Sequence, residues 1–387
     1  MLNSKINKIQ IPFDYLITFL FIVNCGFHLK NVPTYASMYI IFYITLVFLF
    51  LKSFKHITIP FTSSMKLCSI VILYLFISQM LNGGVIIVVL ASIITFIFYI
   101  IARILLHKKK IHKILKICDF LFIFNAILFF IDAIYRFKLG GNNILTNFYI
   151  AKTNCLLFAD TNALAINSCT LTFFAFYLFE KFKNFKYFIF CLIFILFTIF
   201  TFSRAAIIAT FFSFIIILLY NCFKKIFKYF YKNFSLKIPL KTACILITIL
   251  PFLCLLIFFI FKVIVLLLSD NSFLTKIFLF KDIFIFVENA SLSELCFGIG
   301  FDNAYIYLDR YAHTYLATYI IETGFIGYTL ITSFLISLLI ENKKNFYILL
   351  PFFFLGFSYI GHTILNLFYV TFALTNFFET RRRITKC

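Results

Sequence analysis

The chain has 387 residues, 63% of them hydrophobic and only 13% charged, with a formal net charge of +21. Apolar runs of about twenty residues recur along it, and about twenty apolar residues cross a bilayer as a helix. That pattern excludes a soluble globular domain and argues for a polytopic membrane protein. Phe (61 copies) and Ile dominate while Trp is absent, a skew ascribed to the base composition of the gene. The 22 Tyr must therefore supply any interfacial aromatic belt.

In chain order the apolar runs predict spans near 11–29, 34–51, 64–81, 85–106, 114–135, 162–180, 187–202, 205–221, 242–268, 314–340, 346–360 and 362–378. The expected fold class is all-α, with about 12 transmembrane helices and both termini on one side. Placing the N-terminus in the cytoplasm puts most of the 35 Lys and Arg inside, including Lys108, Lys109, Lys110, Lys224, Lys225 and Arg381 to Arg383. This satisfies the positive-inside rule, so the charge is topological and nucleic acid is not an expected partner. No basic n-region with a small-residue cleavage site precedes the first run, which reads as a retained anchor. The expected location is the bacterial inner membrane.

Short connections and the lack of a repeat make residues 1–387 a single integral-membrane domain in this reading. Two outside segments stand out, 136–161 and 269–313, and function is expected to concentrate in them. In the second, Asp270, Asp282, Glu288, Glu294, Asp302 and Asp309 outnumber Lys276, Lys281 and Arg310. Its first half, SFLTKIFLFKDIFIFVEN (272–289), places Ser272, Lys276 and Asp282 on one helical stripe, a pattern expected of a helix lying in the outer interface. A glycine-punctuated turn, FGIGFDNAY, follows. The eleven Cys are scattered with no C-x-x-C pair, so no metal cluster is expected. Cys155 and Cys296 read as two free thiols.

An ionised group at the bilayer centre costs on the order of 2.5 to 3.5 kcal/mol, so each needs a partner or a task. Asp132 and Arg136 are four apart and can pair along one helix face; as a simple structural pair, Asp132→Asn is expected to be mild. Asp14, Asp119 and Glu180 lie near the inner surface, where solvent or neighbouring lysines suffice. Arg204, in TFSRAAIIAT, stands at an outside turn and is shaped either to hold a phosphate bidentately or to snorkel to lipid headgroups. His313 begins the tenth span in YAHTYLATYIIETGFIGYTLI and suits either a general base for a hydroxyl or an ordinary interfacial hydrogen-bonding side chain. Glu322 lies deeper in that span, and Gly324 and Gly327 read as close helix packing. No glycine-rich nucleotide loop, D-x-D, H-E-x-x-H or G-x-S-x-G occurs.

An SR dipeptide at an outside turn (Ser203, Arg204), a large outside loop ending in G-x-G (Gly298, Gly300), then His313 followed by G-x-x-G (Gly324, Gly327) resembles the O-antigen polymerase and O-antigen ligase superfamily. The similarity covers roughly residues 155–340. It implies a membrane glycosyltransferase whose glycans arrive on undecaprenyl diphosphate, with no metal or nucleotide cofactor. Membrane lipid and, for a polymerase, a chain-length regulator protein are the other partners it implies. Arg204 corresponds to the diphosphate-binding arginine and His313 to the histidine that activates the acceptor hydroxyl. Lys276 stands where many members have an arginine. Because lysine holds phosphate only as a point charge, Arg310 is the alternative second ligand. Glu322 is a candidate orienter, and Thr314 occupies a place where Asn, Ser or Gln is frequent.

The reading that follows is an O-antigen or similar polysaccharide polymerase. The alternatives are an O-antigen ligase transferring glycan to lipid A core and, from another class, a transporter or flippase, for which internal symmetry or midplane charges are expected.

Overall fold

The computed structural model describes residues 2–26, 36–53, 61–140, 154–158, 161–232, 281, 283–305, 314–356 and 365–384. Among these, regular structure is helical, with no strand. In order the helices are α1 (Leu2–Asn24), α2 (Ala36–Ser53), α3 (Ser63–Leu81), α4 (Ile86–Leu106), α5 (Ile111–Gly140), α6 (Thr161–Phe182), α7 (Phe185–Phe200), α8 (Arg204–Lys232), α9 (Leu292–Phe297), α10 (Tyr315–Glu341), α11 (Phe346–Gly356) and α12 (Asn366–Ile384). A further helical stretch covers 283–289. Two compact units divide the chain: Met1–Ser213 with Ala290–Cys387, and Phe214–Asn289.

Six helices among the described residues are long and apolar enough to cross a membrane: α3, α4, α5, α6, the Arg204–Lys224 part of α8, and α10. Shorter apolar helices occur at Phe13–Asn24, Ile40–Leu51 and α7. Their outward faces carry large apolar side chains, such as Ile70, Leu73 and Ile77 on α3. That is the surface a hydrocarbon solvent accepts, provided every backbone group is satisfied within the protein. The expected span at 242–268 lies outside the described residues, as does most of the 272–289 interfacial helix. α11 has 11 residues, which at 1.5 Å each covers only about half of a hydrocarbon core.

Within the first unit, tight turns set an antiparallel order. Residues 82–85 join α3 to α4, 107–110 join α4 to α5, Lys183 and Asn184 join α6 to α7, and 201–203 join α7 to α8. Asn184 caps α7 by accepting from the Lys186 amide at 3.1 Å. α6 is the central helix, with 89% of its spanning window buried. Its small polar side chains bind neighbours instead of lipid: Ser168 donates to the Phe194 carbonyl at 2.9 Å, and the Thr198 hydroxyl donates to Ser168 at 3.0 Å. Aromatic packing fills the remaining space. Phe122 meets Phe174, Phe190 and Phe194, while Phe96, Phe334 and Tyr369 form a three-ring cluster tying α4 to α10 and α12. Each such pair adds about 0.5–1.5 kcal/mol beyond area burial.

The two ends of this bundle differ. At one end, acids pair with nearby bases: Asp14 with Lys109 at 3.1 Å, Asp119 with Lys186 at 2.6 Å, Glu180 with Lys344 at 3.4 Å, and Glu379 with Lys181 at 2.7 Å. The opposite end carries the α3–α4 turn, the 298–304 loop, the start of α10 and the α7–α8 turn.

Candidate functional site

The site is built around a break in α10. Gly324 has φ 70° and ψ 176°, a conformation open to glycine and strained for other residues. Breaking a helix inside a membrane strips the carbonyls before the break of their amides one turn on, and each needs a new donor. The G-x-G loop and α3 supply them. The Ile321 carbonyl accepts from the Ile299 amide at 3.0 Å, and the Glu322 carbonyl from the Gly300 amide at 3.1 Å and Gln79 Nε2 at 3.1 Å. The Thr323 carbonyl accepts from Tyr74 Oη at 2.6 Å, and the Gly327 amide donates to the same hydroxyl. Tyr74 thus bridges the bond that a regular helix would have made directly between residues 327 and 323.

The approach is too close for side chains. A Cβ on Gly298 would lie 2.4 Å from the Glu322 carbonyl, and one on Gly324 would lie 2.3 Å from the Cys296 oxygen. Gly327 behaves as the sequence suggests, packing its bare face near Thr323 and the Tyr74 ring. Gly324 does something different: it is the break itself.

The α3–α4 turn closes the arrangement from a third side. Gln79, 1% exposed, accepts from the Phe301 amide through Oε1 while its Nε2 holds the Glu322 carbonyl. The Val85 amide donates to the Phe301 carbonyl at 3.2 Å, Asn82 Nδ2 to the Phe297 carbonyl at 2.9 Å, and Asn303 Nδ2 to the Ile299 carbonyl at 2.9 Å. The Glu322 side chain, 3% exposed, accepts from the Asp302 and Ala304 amides. A buried carboxyl group needs such donors.

At the same end, Arg204 opens α8 as an exposed residue directly after the buried Ser203. Ser203 Oγ donates to Asn162 Oδ1 at 3.0 Å, which fixes the turn to the start of α6. Nearby lies the Asp132–Arg136 pair, joined at 2.7 Å. The pairing agrees with the i, i+4 spacing, but its depth gives Asp132→Asn a larger expected effect on stability than spacing alone suggests. Asp132 is 0% exposed, and its Oδ1 accepts from the Leu156 amide at 2.7 Å and Cys155 Sγ at 3.2 Å. Arg136 Nη1 donates to the Phe200 carbonyl at 2.7 Å. Burial and the adjacent Asp132 charge push the Cys155 thiol up to about 12.

Of the residues named from the sequence, Lys276, Arg310 and His313 lie outside the described residues. Thr314 caps α10, its Oγ1 accepting from the Ala317 amide at 3.2 Å. Gln79, Tyr74, Asn82 and Asn303 are central here and were not singled out by sequence reasoning. An amide inside an apolar run followed by Asn-Gly-Gly (79–84) was the available signal. A largely apolar cavity of about 510 Å³ lies between α10 and α11, lined by Tyr315, Leu316, Tyr328, Thr332, Phe346 and Phe352 among others. Among the described residues no group of three or more His, Cys, Asp or Glu could hold a metal ion.

Comparison with known proteins adds no relative: no protein-family model matches the chain, and neither the curated proteins nor the solved structures contain a match.

Proposed function

We propose that the chain is a bacterial inner-membrane glycosyltransferase that joins undecaprenyl-diphosphate-linked oligosaccharide units into O-antigen or a similar surface polysaccharide. The observation that carries this reading is the placement of Arg204 as an exposed residue at the bundle end that also holds the G-x-G loop and the start of α10. The ion pairs of Lys109, Lys181, Lys186 and Lys344 lie at the other end. By the positive-inside rule the lysine-rich end faces the cytoplasm, which turns the glycine-loop end to the periplasm, where lipid-linked glycans are polymerised.

In this reaction the acceptor hydroxyl attacks the anomeric carbon of the donor, the new glycosidic bond forms as the bond to the lipid diphosphate breaks, and undecaprenyl diphosphate leaves. His313, next to the α10 cap Thr314 in sequence, takes the hydroxyl proton as general base. Arg204, with Arg310 or Lys276, neutralises the charge that develops on the leaving diphosphate. The apolar cavity between α10 and α11 offers hydrocarbon-compatible volume beside the helix that Thr314 opens.

Deleting the gene in its host and complementing with wild type, Arg204→Ala, Arg204→Lys or His313→Ala tests the reading on a lipopolysaccharide gel. The expected result is a ladder reduced to core plus one repeat, rescued by wild type alone at equal membrane levels. A fully active Arg204→Lys would overturn the bidentate diphosphate role. Loss of all O-antigen from the core with accumulation of long lipid-linked glycan would assign a ligase, and an unchanged ladder would favour transport.

A further inference from the structure

The buried amide of Gln79 is absorbed neither by helix packing nor by the chemistry assigned above. We propose that Gln79 is a positioning residue, one arm of a two-armed clamp whose other arm is Glu322. The clamp fixes the 299–304 loop against the first turns of α10 and so sets the direction in which that helix presents its capped start at Thr314. The inference rests on the transferase reading for what is being positioned; the clamp itself rests on the geometry alone.

Both arms join the same two pieces of chain in opposite senses. From α3, Gln79 donates to the Glu322 carbonyl of α10 and accepts from the Phe301 amide of the loop. From α10, the Glu322 carboxyl group reaches back to accept from the Asp302 and Ala304 amides of that same loop. Phe301, Asp302 and Ala304 are thereby held by side chains on two different helices, while Ile299 and Gly300 bond directly to α10 carbonyls. The loop has no ladder or helix of its own to keep it in place.

Helix packing alone does not demand this arrangement. Tyr74 already satisfies the Thr323 carbonyl at the break, and aromatic contacts of Phe96 and Tyr99 with Phe334 hold α10 further along. What Gln79 and Glu322 add is registry between the break and the loop. A buried hydrogen-bonded network specifies one arrangement where apolar contacts would tolerate several. The role assigned to Glu322 is to accept from backbone amides, which an uncharged carboxamide oxygen can also do.

The test uses the full-length protein in proteoliposomes, with Cys222, exposed on α8, and Cys244, Cys254 and Cys387, outside the described residues, all replaced by Ser, so that half-buried Cys296 beside the loop is the reporter thiol and the other described cysteines are buried. Gln79→Met and Glu322→Met remove the hydrogen bonds at nearly constant volume, and Glu322→Gln keeps an acceptor oxygen. Maleimide labelling of Cys296 and turnover of undecaprenyl-diphosphate-linked repeat units are measured at matched, monodisperse protein levels. Both Met variants are expected to label about tenfold faster and to lose about tenfold in kcat with KM within about twofold, and Glu322→Gln to recover both to within about threefold.

Unchanged Cys296 labelling in the Met variants overturns the clamp whatever their activity. Faster labelling with unchanged kcat overturns the positioning role. A Glu322→Gln protein with wild-type labelling but the turnover of Glu322→Met overturns it differently, by making Glu322 a proton-carrying group. If wild type turns over no lipid-linked glycan while labelling follows expectation, the transferase reading fails and the positioning role fails with it, and the clamp survives as a device of the fold.

Discussion

The two ends of the helical bundle are closed by different means. At the lysine-rich end, helix ends are tied by charged side chains that reach across: Lys186 to Asp119, Lys344 to Glu180, Lys181 to Glu379. At the other end the ties run through the backbone. Gly298, Gly300 and Gly324 let main chain approach main chain, and Gln79, Asn82 and Asn303 hold carbonyls and amides. The most exposed of these ion pairs, Lys186–Asp119, tolerates rearrangement, because exposed pairs contribute about 0–1 kcal/mol each. Backbone contacts at van der Waals distance do not tolerate it. The end built for precision is the one to which the functional reading assigns the chemistry.

The contrast is broken most severely at Gly324. Gly324→Ala combines positive φ with a Cβ 2.3 Å from the Cys296 oxygen, so little folded protein is expected in membranes. Gly83→Ala shares a positive φ but meets nothing within 4 Å and should cost on the order of 1–2 kcal/mol. Fluorescence-detected size exclusion of tagged protein compares the two, and equal losses would mean that strain rather than contact matters.

The next effect is at Asp132. Asp132→Asn leaves the buried Arg136 without its counter-charge, a loss on the order of 3–5 kcal/mol, whereas Lys186→Met at the exposed end should shift the melting temperature little. Thermal melts of solubilised protein decide this, and similar shifts would show that burial does not separate the two pairs.

The smallest effect concerns pH. Burial opposes ionisation of Glu379, but the Lys181 hydrogen bond and charge outweigh it, with Tyr177 assisting, and hold the carboxyl below its ordinary value. The folded state therefore binds its proton at lower pH than the unfolded state, and the stabilisation present above the ordinary carboxylate range is lost as pH falls from that range through the lowered folded-state value. Lys181→Met should flatten the acid limb of the melting curve, and an unaltered limb would remove Glu379 from the account.

Helix positions were legible in the sequence because hydropathy alone sets them: the run at 64–81 is the helix Ser63–Leu81, and that at 314–340 is Tyr315–Glu341. The Asp132–Arg136 pair was legible from its spacing, but its depth was not, since burial depends on the 154–157 segment folding back over it. Gly324 and Gly327 look alike in sequence, yet one packs a helix and the other interrupts it. Which of them breaks is decided by the loop 298–300, some 25 residues earlier in the chain. Gln79 carried only a generic signal, because the value of one amide lies in the two backbone groups that tertiary structure brings to it.

α6 is at once the least apolar of the six candidate spans and the most enclosed. During synthesis its Asn167, Ser168, Thr170 and Thr172 leave the ribosome before α7 exists to receive them, so the helix partitions poorly into lipid by itself. Only three residues after α6 the strongly apolar α7 begins, across the turn at Lys183 and Asn184. The two are therefore suited to enter the bilayer together as a hairpin, with α7 acting as the chaperone of the helix it will later cover.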